Sequence, residues 1–173
     1  MLGLPSGQLR LAPYVPNWPL LFRAEKERLF ASLGNYILDV QHIGSTSIPG
    51  MPAKPILDIG IAVTNFEEAT RCIPLLEQLG YSYKGENGIP RRHYFVKGEP
   101  RTHHLHIIEV ASEEWKNHLL FRDYLRRTPA TAQEYASLKQ SLSTQFATDR
   151  EAYQSGKDSF IKAVLHKANQ EAL

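Results

Sequence analysis

Residues 42–61 read HIGSTSIPGMPAKPILDIGI. The stretch follows the apolar–polar alternation DVQHI of residues 39–43, turns polar at Gly44 and re-enters an apolar run at Ile56. Gly44 has no side chain to hold a phosphate away from the backbone, and Ser45, Thr46 and Ser47 offer hydroxyl and amide donors. Lys54 adds a compact positive charge. Asp58 then sits among Ile56, Leu57, Ile59 and Ile61. A lone carboxylate in such a run is costly to bury without a partner, most often a cation or a metal ion. In a strand, Leu57, Ile59, Ile61 and Val63 share a core face, while Asp58, Gly60 and Ala62 share a small polar face with room for a ligand. Strand, donor-rich loop and carboxylate-bearing strand together point to a site for a phosphorylated, metal-associated ligand.

On the N-terminal side, residues 1–18 are rich in proline and glycine and read as an arm. Pro19 suits a first helical turn, Leu21, Phe22, Leu29, Phe30 and Leu33 mark one helical face over 20–33, and Gly34 is a natural stop. Strands are expected at 37–43 and 56–63, then a helix over 66–79 that Pro74 kinks or delays, with Gly80 behind it. Three further strands are expected near 81–84, 92–97 and 103–110. Helices follow: Ser112 with Glu113 and Glu114 makes a good start, Thr128-Pro129 another, and Tyr135, Leu138, Leu142 and Phe146 keep a helical period. The order gives an α/β (α+β) chain, one domain over 1–173, with a helical C-terminal half.

The charge balance is mild: 20 lysines and arginines against 18 acids, net +2 over 173 residues. That falls short of the basic stripe of a nucleic-acid binder and argues against such a partner. No apolar run approaches the ~20 residues of a membrane helix. The N-terminus lacks the basic start and apolar stretch of a signal peptide, so a cytoplasmic protein is the simplest reading. A single cysteine, Cys72, excludes an intrachain disulfide and a cysteine-based zinc site.

A second constellation is THHLHII, residues 102–108. In a strand His104 and His106 point the same way, about 7 Å apart, and can share a cation. His42 shares parity with Gly44 and is read as orienting the loop. In PRRHYFVKG, residues 90–98, the pleat turns one of Arg91 and Arg92 toward the cleft, where a planar guanidinium grips phosphate or carboxylate. Trp18 and Trp115 read as packing anchors, and Tyr135 and Tyr153 as core residues.

A Gly-Ser pair followed about a dozen residues later by a strand aspartate resembles the signature of the nucleotidyltransferase superfamily. The longer string HIGSTSIPGMPAKPILDI is similar to the core motif of the GrpB family, small bacterial proteins of poorly defined role. YVPNWPLLFRAEKERL, PRRHYFVKG, HHLHII, FRDYLRRTP and a tail carrying Tyr135, Lys139, Tyr153 and Lys157 agree in order, so the resemblance covers roughly residues 14 to 168. It implies a nucleotidyltransferase-type mixed sheet flanked by helices. It also implies Asp58 as the catalytic, metal-holding carboxylate, and Gly44, Ser45, Thr46, Ser47, Lys54, Arg91, Arg92, Arg122 and Lys139 as substrate- or phosphate-binding positions. The divalent cation would be Mg²⁺ or Mn²⁺, and the partner a phosphorylated small molecule or nucleotide, with a link to coenzyme A or adenine-nucleotide metabolism from fused relatives.

One departure matters. The superfamily places a second carboxylate two residues after the first, and this chain has Gly60 there. Three readings follow. The first is a nucleotidyltransferase-like enzyme with Mg²⁺ held by one carboxylate and the ligand's phosphates. The second is a non-catalytic nucleotide- or phosphometabolite-binding module, and the third a transition-metal hydrolase, with Zn²⁺ among its options, built on Asp58, His104 and His106.

Overall fold

The computed structural model describes residues 1–172. Helix α1 (Trp18–Leu33) leads into β1 (Asp39–Ile43), a single 3₁₀ turn (Ser45–Ser47), and β2 (Leu57–Val63). A second 3₁₀ turn (Glu68–Arg71) runs into the short α2 (Cys72–Gln78), the late start that Pro74 demands two residues into the helix. Strands β3 (Tyr81–Tyr83), β4 (Arg92–Lys97) and β5 (His103–Glu109) complete one mixed five-stranded sheet of order β1-β2-β5-β4-β3. Among the described residues only β2 and β5 pair in parallel, with Asp58 opposite His104 and Gly60 opposite His106. The C-terminal half is helical: α3 (Glu113–Arg127), α4 (Pro129–Gln145), α5 (Arg150–Ser155) and α6 (Asp158–Glu171). Ser112 Oγ caps α3 by accepting from the Trp115 amide, with acids in its first turn and arginines in its last.

The pleat separates two environments. Ile59, Ile61 and Val63 of β2, with Leu105, Ile107 and Phe95, bury against Leu29 and Leu33 of α1 and Cys72 and Leu76 of α2. On the other face Trp115 and Leu119 of α3 cover Ala62 and Ile108, leaving the Asp58 end of that face open. A further cluster joins Ile48 and Met51, in the loop before β2, to Leu125, Tyr135, Ala136 and Val164. The donor loop is therefore held by the helical half. The N-terminal arm is tied down by two antiparallel bridges, Leu4 to Arg101 and Ala12 to Ala53. No described helix is long and apolar enough to cross a membrane.

Glu25 of α1 is a buried carboxylate, 1 % exposed, that clamps the helix to the sheet. It accepts from Lys97 Nζ at 2.6 Å and Tyr81 Oη at 2.8 Å, and lies 3.4 Å from His103 Nε2. Burial alone would raise its pKa, but hydrogen bonds from Lys97 and Tyr81 and the charges of Lys97 and His103 bring it down to about 2. Glu25→Gln keeps the volume and strands Lys97. The expected loss is about 3 kcal/mol in urea unfolding, the lower end of what breaking a buried pair costs.

Candidate functional site

One cleft of about 610 Å³ lies against the open end of the polar sheet face. The loop contributes Gly44, Ser45, Thr46 and Lys54, the sheet contributes Asp58, Arg92, Tyr94, His104 and His106, the helices contribute Tyr135, Lys139, Arg150 and Tyr153, and the turn before α6 contributes Lys157. Asp58, both histidines and Ser45 thus meet in one place, as strand parity requires: the parallel pairing of β2 with β5 sets Asp58 beside His104.

Asp58 is held by imidazoles. Its Oδ1 lies 3.1 Å from His106 Nε2 and 3.7 Å from His104 Nδ1. Burial would raise its pKa, yet the two histidines hold it well below the usual carboxylate range. On its far side His106 Nδ1 lies 3.2 Å from Arg92 Nη1. A guanidinium only donates, so Nδ1 must be the acceptor and Nε2 must carry the proton given to Asp58. Burial lowers the His106 pKa against the hydrogen bond and charge of Asp58, with smaller help from the charges of His118 and Arg92, in keeping with that neutral tautomer. A protonated Nε2 has no lone pair for a metal. Among the described residues no three His, Cys, Asp or Glu side chains are arranged to hold a metal ion. The Asp-His-His set is brought together as a hydrogen-bonded cluster and does not fit a transition-metal site as it stands.

A second carboxylate at Gly60 would be crowded. A Cβ on Gly60 would stand 3.0 Å from Trp115 Cζ3 and 3.3 Å from Ile43 Cδ1. The glycine lies under a packed tryptophan, and the two-carboxylate, two-cation arrangement does not fit. Gly44 is required by the same crowding: its φ is 71°, and a Cβ there would meet Asp58 Oδ2 at 2.7 Å.

The helical wall is cationic. Lys139 is 2 % exposed, donates to the Pro52 carbonyl and lies over the Tyr135 ring at 4.9 Å. Burial and the neighbouring charges of Lys157 and Lys54 push its pKa down to about 7. Burial and Lys54 push Lys157 down to about 8, against the attraction of Asp58. Lys54 is lowered by burial too, with Asp58 opposing, and reaches across the Tyr153 ring at 5.8 Å. Among the described residues that line the cleft, Asp58 is the single carboxylate.

Several sequence expectations are corrected. Arg91 lies outside the cleft: its guanidinium forks onto Glu67 and Glu109 at 2.7–3.0 Å and covers Phe66, locking the entry to β4. Arg122 faces the opposite side of the loop, where it donates to Gln41 Oε1 and the His42 carbonyl and braces β1 against α3. Ser47 is buried, its hydroxyl donating to the Gly44 carbonyl, so it shapes the turn without facing a ligand. Thr46 lines the cleft, and His42 Nε2 bonds its Oγ1 at 2.9 Å while stacking on Phe22, which fits the loop-orienting reading of His42. Tyr135 and Tyr153 are buried, as their helical spacing implies, but they also wall the cleft. Tyr94, Arg150 and Lys157 also line the cleft. Lys157 was visible only as part of the tail, and Arg150 carries no local signal, since helices far apart in sequence bring them to the loop.

The family described as GrpB protein matches residues 8–167. The Bacillus subtilis UPF0157 protein YqkA is 43% identical over 96% of this chain and 49% of its own length, so the chain spans about half of that relative. The crystal structure of the conserved protein GrpB from Enterococcus faecalis superposes with a TM-score of 0.87 at 38% identity, covering 94% of this chain and 99% of that one. The Cid1 poly(U) polymerase in its MgGTP-bound structure has a TM-score of 0.54 at 14% identity over 76% of this chain and 44% of its own, a likeness of fold alone.

Proposed function

The chain belongs to the GrpB family and has a nucleotidyltransferase-like fold, and on that premise we propose that it binds a phosphorylated nucleotide in the lysine-walled cleft. The observation that carries this reading is the convergence of Lys54, Lys139 and Lys157 on one cleft with Asp58 as the only carboxylate lining it among the described residues. Like charges gathered in a partly desolvated space are costly, and a phosphate anion relieves that cost. Gly44 lets the Ser45 turn come close to the phosphates, and Arg92 lines the cleft beside His106. Binding without transfer is the form we favour, because the position of the second carboxylate is a glycine crowded by Trp115. A Mg²⁺ that arrives with the ligand's phosphates would find one carboxylate among the described lining residues, Asp58, and would supply charge neutralisation there.

The test is a thermal-shift screen of nucleotides, inorganic tripolyphosphate and dephospho-coenzyme A, with and without Mg²⁺, Mn²⁺ and Zn²⁺. A ligand at a hundred times its Kd adds about 2.7 kcal/mol, well within such a screen. Phosphorylated ligands should stabilise the protein and their dephosphorylated counterparts should not; equal behaviour of the two sets would sink the reading. Lys139→Met should weaken the best ligand up to about a hundredfold, an effect of the size expected for a charged hydrogen bond. Phosphate should also raise the pKa of Lys139 and Lys157 from about 7 and about 8, so binding should take up protons near neutrality and weaken as the pH rises past 8. Calorimetry in two buffers of different ionisation enthalpy reads that uptake directly.

A further inference from the structure

Behind the Gly44–Ser45 turn lies a second hollow, of about 320 Å³. It shares Gly44, Ser45 and Tyr135 with the cleft, so the two spaces adjoin across the turn. Its floor is apolar, made by Phe121 of α3 and Ile161 and Leu165 of α6, with Phe121 edge-on to Tyr135 at a centroid distance of 5.3 Å. One wall is polar, made by Glu114, Asn117 and His118, which share a face of α3 at helical spacing. Glu114 Oε1 lies 3.0 Å from His118 Nε2, and the His118 ring stands 5.7 Å from that of His106. The polar wall therefore reaches the Asp58 end of the cleft.

A hollow with an apolar floor and a wall of donors and acceptors suits a flat heteroaromatic group, whose faces are apolar and whose edges hydrogen-bond. Its volume sits at the lower end of small-molecule pockets, ~300–1,000 Å³, which matches one nucleoside. An acyl chain would press methylenes against the Glu114–His118 pair and Asn117 and take them out of water without offering a hydrogen bond, at a cost. A bare polyphosphate would leave the hollow unused. Granted the phosphate reading of the cleft, on which this rests, we infer that the ligand is a nucleoside di- or triphosphate lying across the Gly44–Ser45 turn. Its phosphates sit among Lys54, Lys139 and Lys157, and its base sits in this hollow, read by Glu114, Asn117 and His118.

The experiment is a calorimetric titration of the full chain with ATP, GTP, CTP, UTP and inorganic tripolyphosphate. At least one nucleotide should bind about tenfold or more tighter than tripolyphosphate, the ~1.4 kcal/mol that base contacts add. Leu165→Trp fills the hollow from a partly exposed position. It should bring nucleotide affinity down to the tripolyphosphate level and leave tripolyphosphate binding unchanged, which also reports an intact fold. Asn117→Ala, a substitution that favours helix, should change the ranking of the four bases. If all four nucleotides bind no tighter than tripolyphosphate, or if neither variant alters nucleotide binding, the base site is wrong and the phosphate cleft stands. If neither nucleotide nor tripolyphosphate binds, the phosphate reading falls and takes the base site with it.

Discussion

Gly60→Asp, which restores the second carboxylate of the superfamily pattern, should destabilise the protein by at least about 4 kcal/mol. The new Cβ alone would lie 3.0 Å from Trp115 Cζ3 and 3.3 Å from Ile43 Cδ1. Overfilling a packed position costs about 1–3 kcal/mol. The carboxylate adds the cost of burial without a cation, beside an Asp58 that already carries the negative charge of this face. Gly60→Ala isolates the steric part and should cost less than half as much. Urea unfolding of both variants measures the two contributions, with the midpoint moving and the slope unchanged. A Gly60→Asp protein of parental stability would mean that Trp115 swings aside, and the two-cation reading of the cleft would be open again.

Lowering the pH from 6.5 to 4 should remove on the order of 5 kcal/mol of stability through two histidines. Burial, helped by the charges of Arg126 and Arg122 and opposed by Asp58, lowers the His42 pKa from 6.5 to about 4. Burial does the same to His103, from 6.5 to about 4, with Glu25 opposing. In the unfolded chain both rings take a proton as the pH falls past 6.5, while in the folded chain they stay neutral down to about 4. The unfolded state thus holds more protons across this window, and stability falls as the pH falls. The contribution is complete above 6.5 and gone below about 4. Urea midpoints at pH 7, 5.5 and 4.5 give the curve, and the double variant His42→Gln, His103→Gln should flatten it. A parental curve that is already flat between 7 and 4.5 would show that these rings are not held neutral by burial.

The strands and most helices were legible because their signals are local. Alternation in LDIGIAV, the Ser112 cap before two acids and Pro19 at a first turn each act within a few residues. Boundaries moved by a residue or two where fraying or a cap decides them, as at Trp18 and Asp39. The meeting of Asp58 with His104 and His106 was also legible, since strand parity fixes which side chains share a face once β2 and β5 are neighbours. The assignment of arginines was not. Arg91 and Arg92 are adjacent and chemically identical, yet Arg91 sits at φ 62° before the strand and turns to Glu67 and Glu109, while Arg92 enters the pleat and meets His106. A positive φ in a non-glycine residue is set by what the side chain finds, and no pattern announces it.

By itself the sequence determined the class of the fold, the donor loop, and the carboxylate and histidines on one sheet face, because alternation and caps are properties of neighbouring residues. Only the tertiary structure decided what those groups do to one another. It placed Trp115 over Gly60, turned the His106 proton toward Asp58 through Arg92, and carried Lys139 of α4 and Lys157, at the start of α6, to the cleft that Lys54 lines. Those outcomes depend on distances between residues far apart in the chain. Burial and charge act through space, so the pKa values and the closure of the second carboxylate position follow from packing and from no local motif.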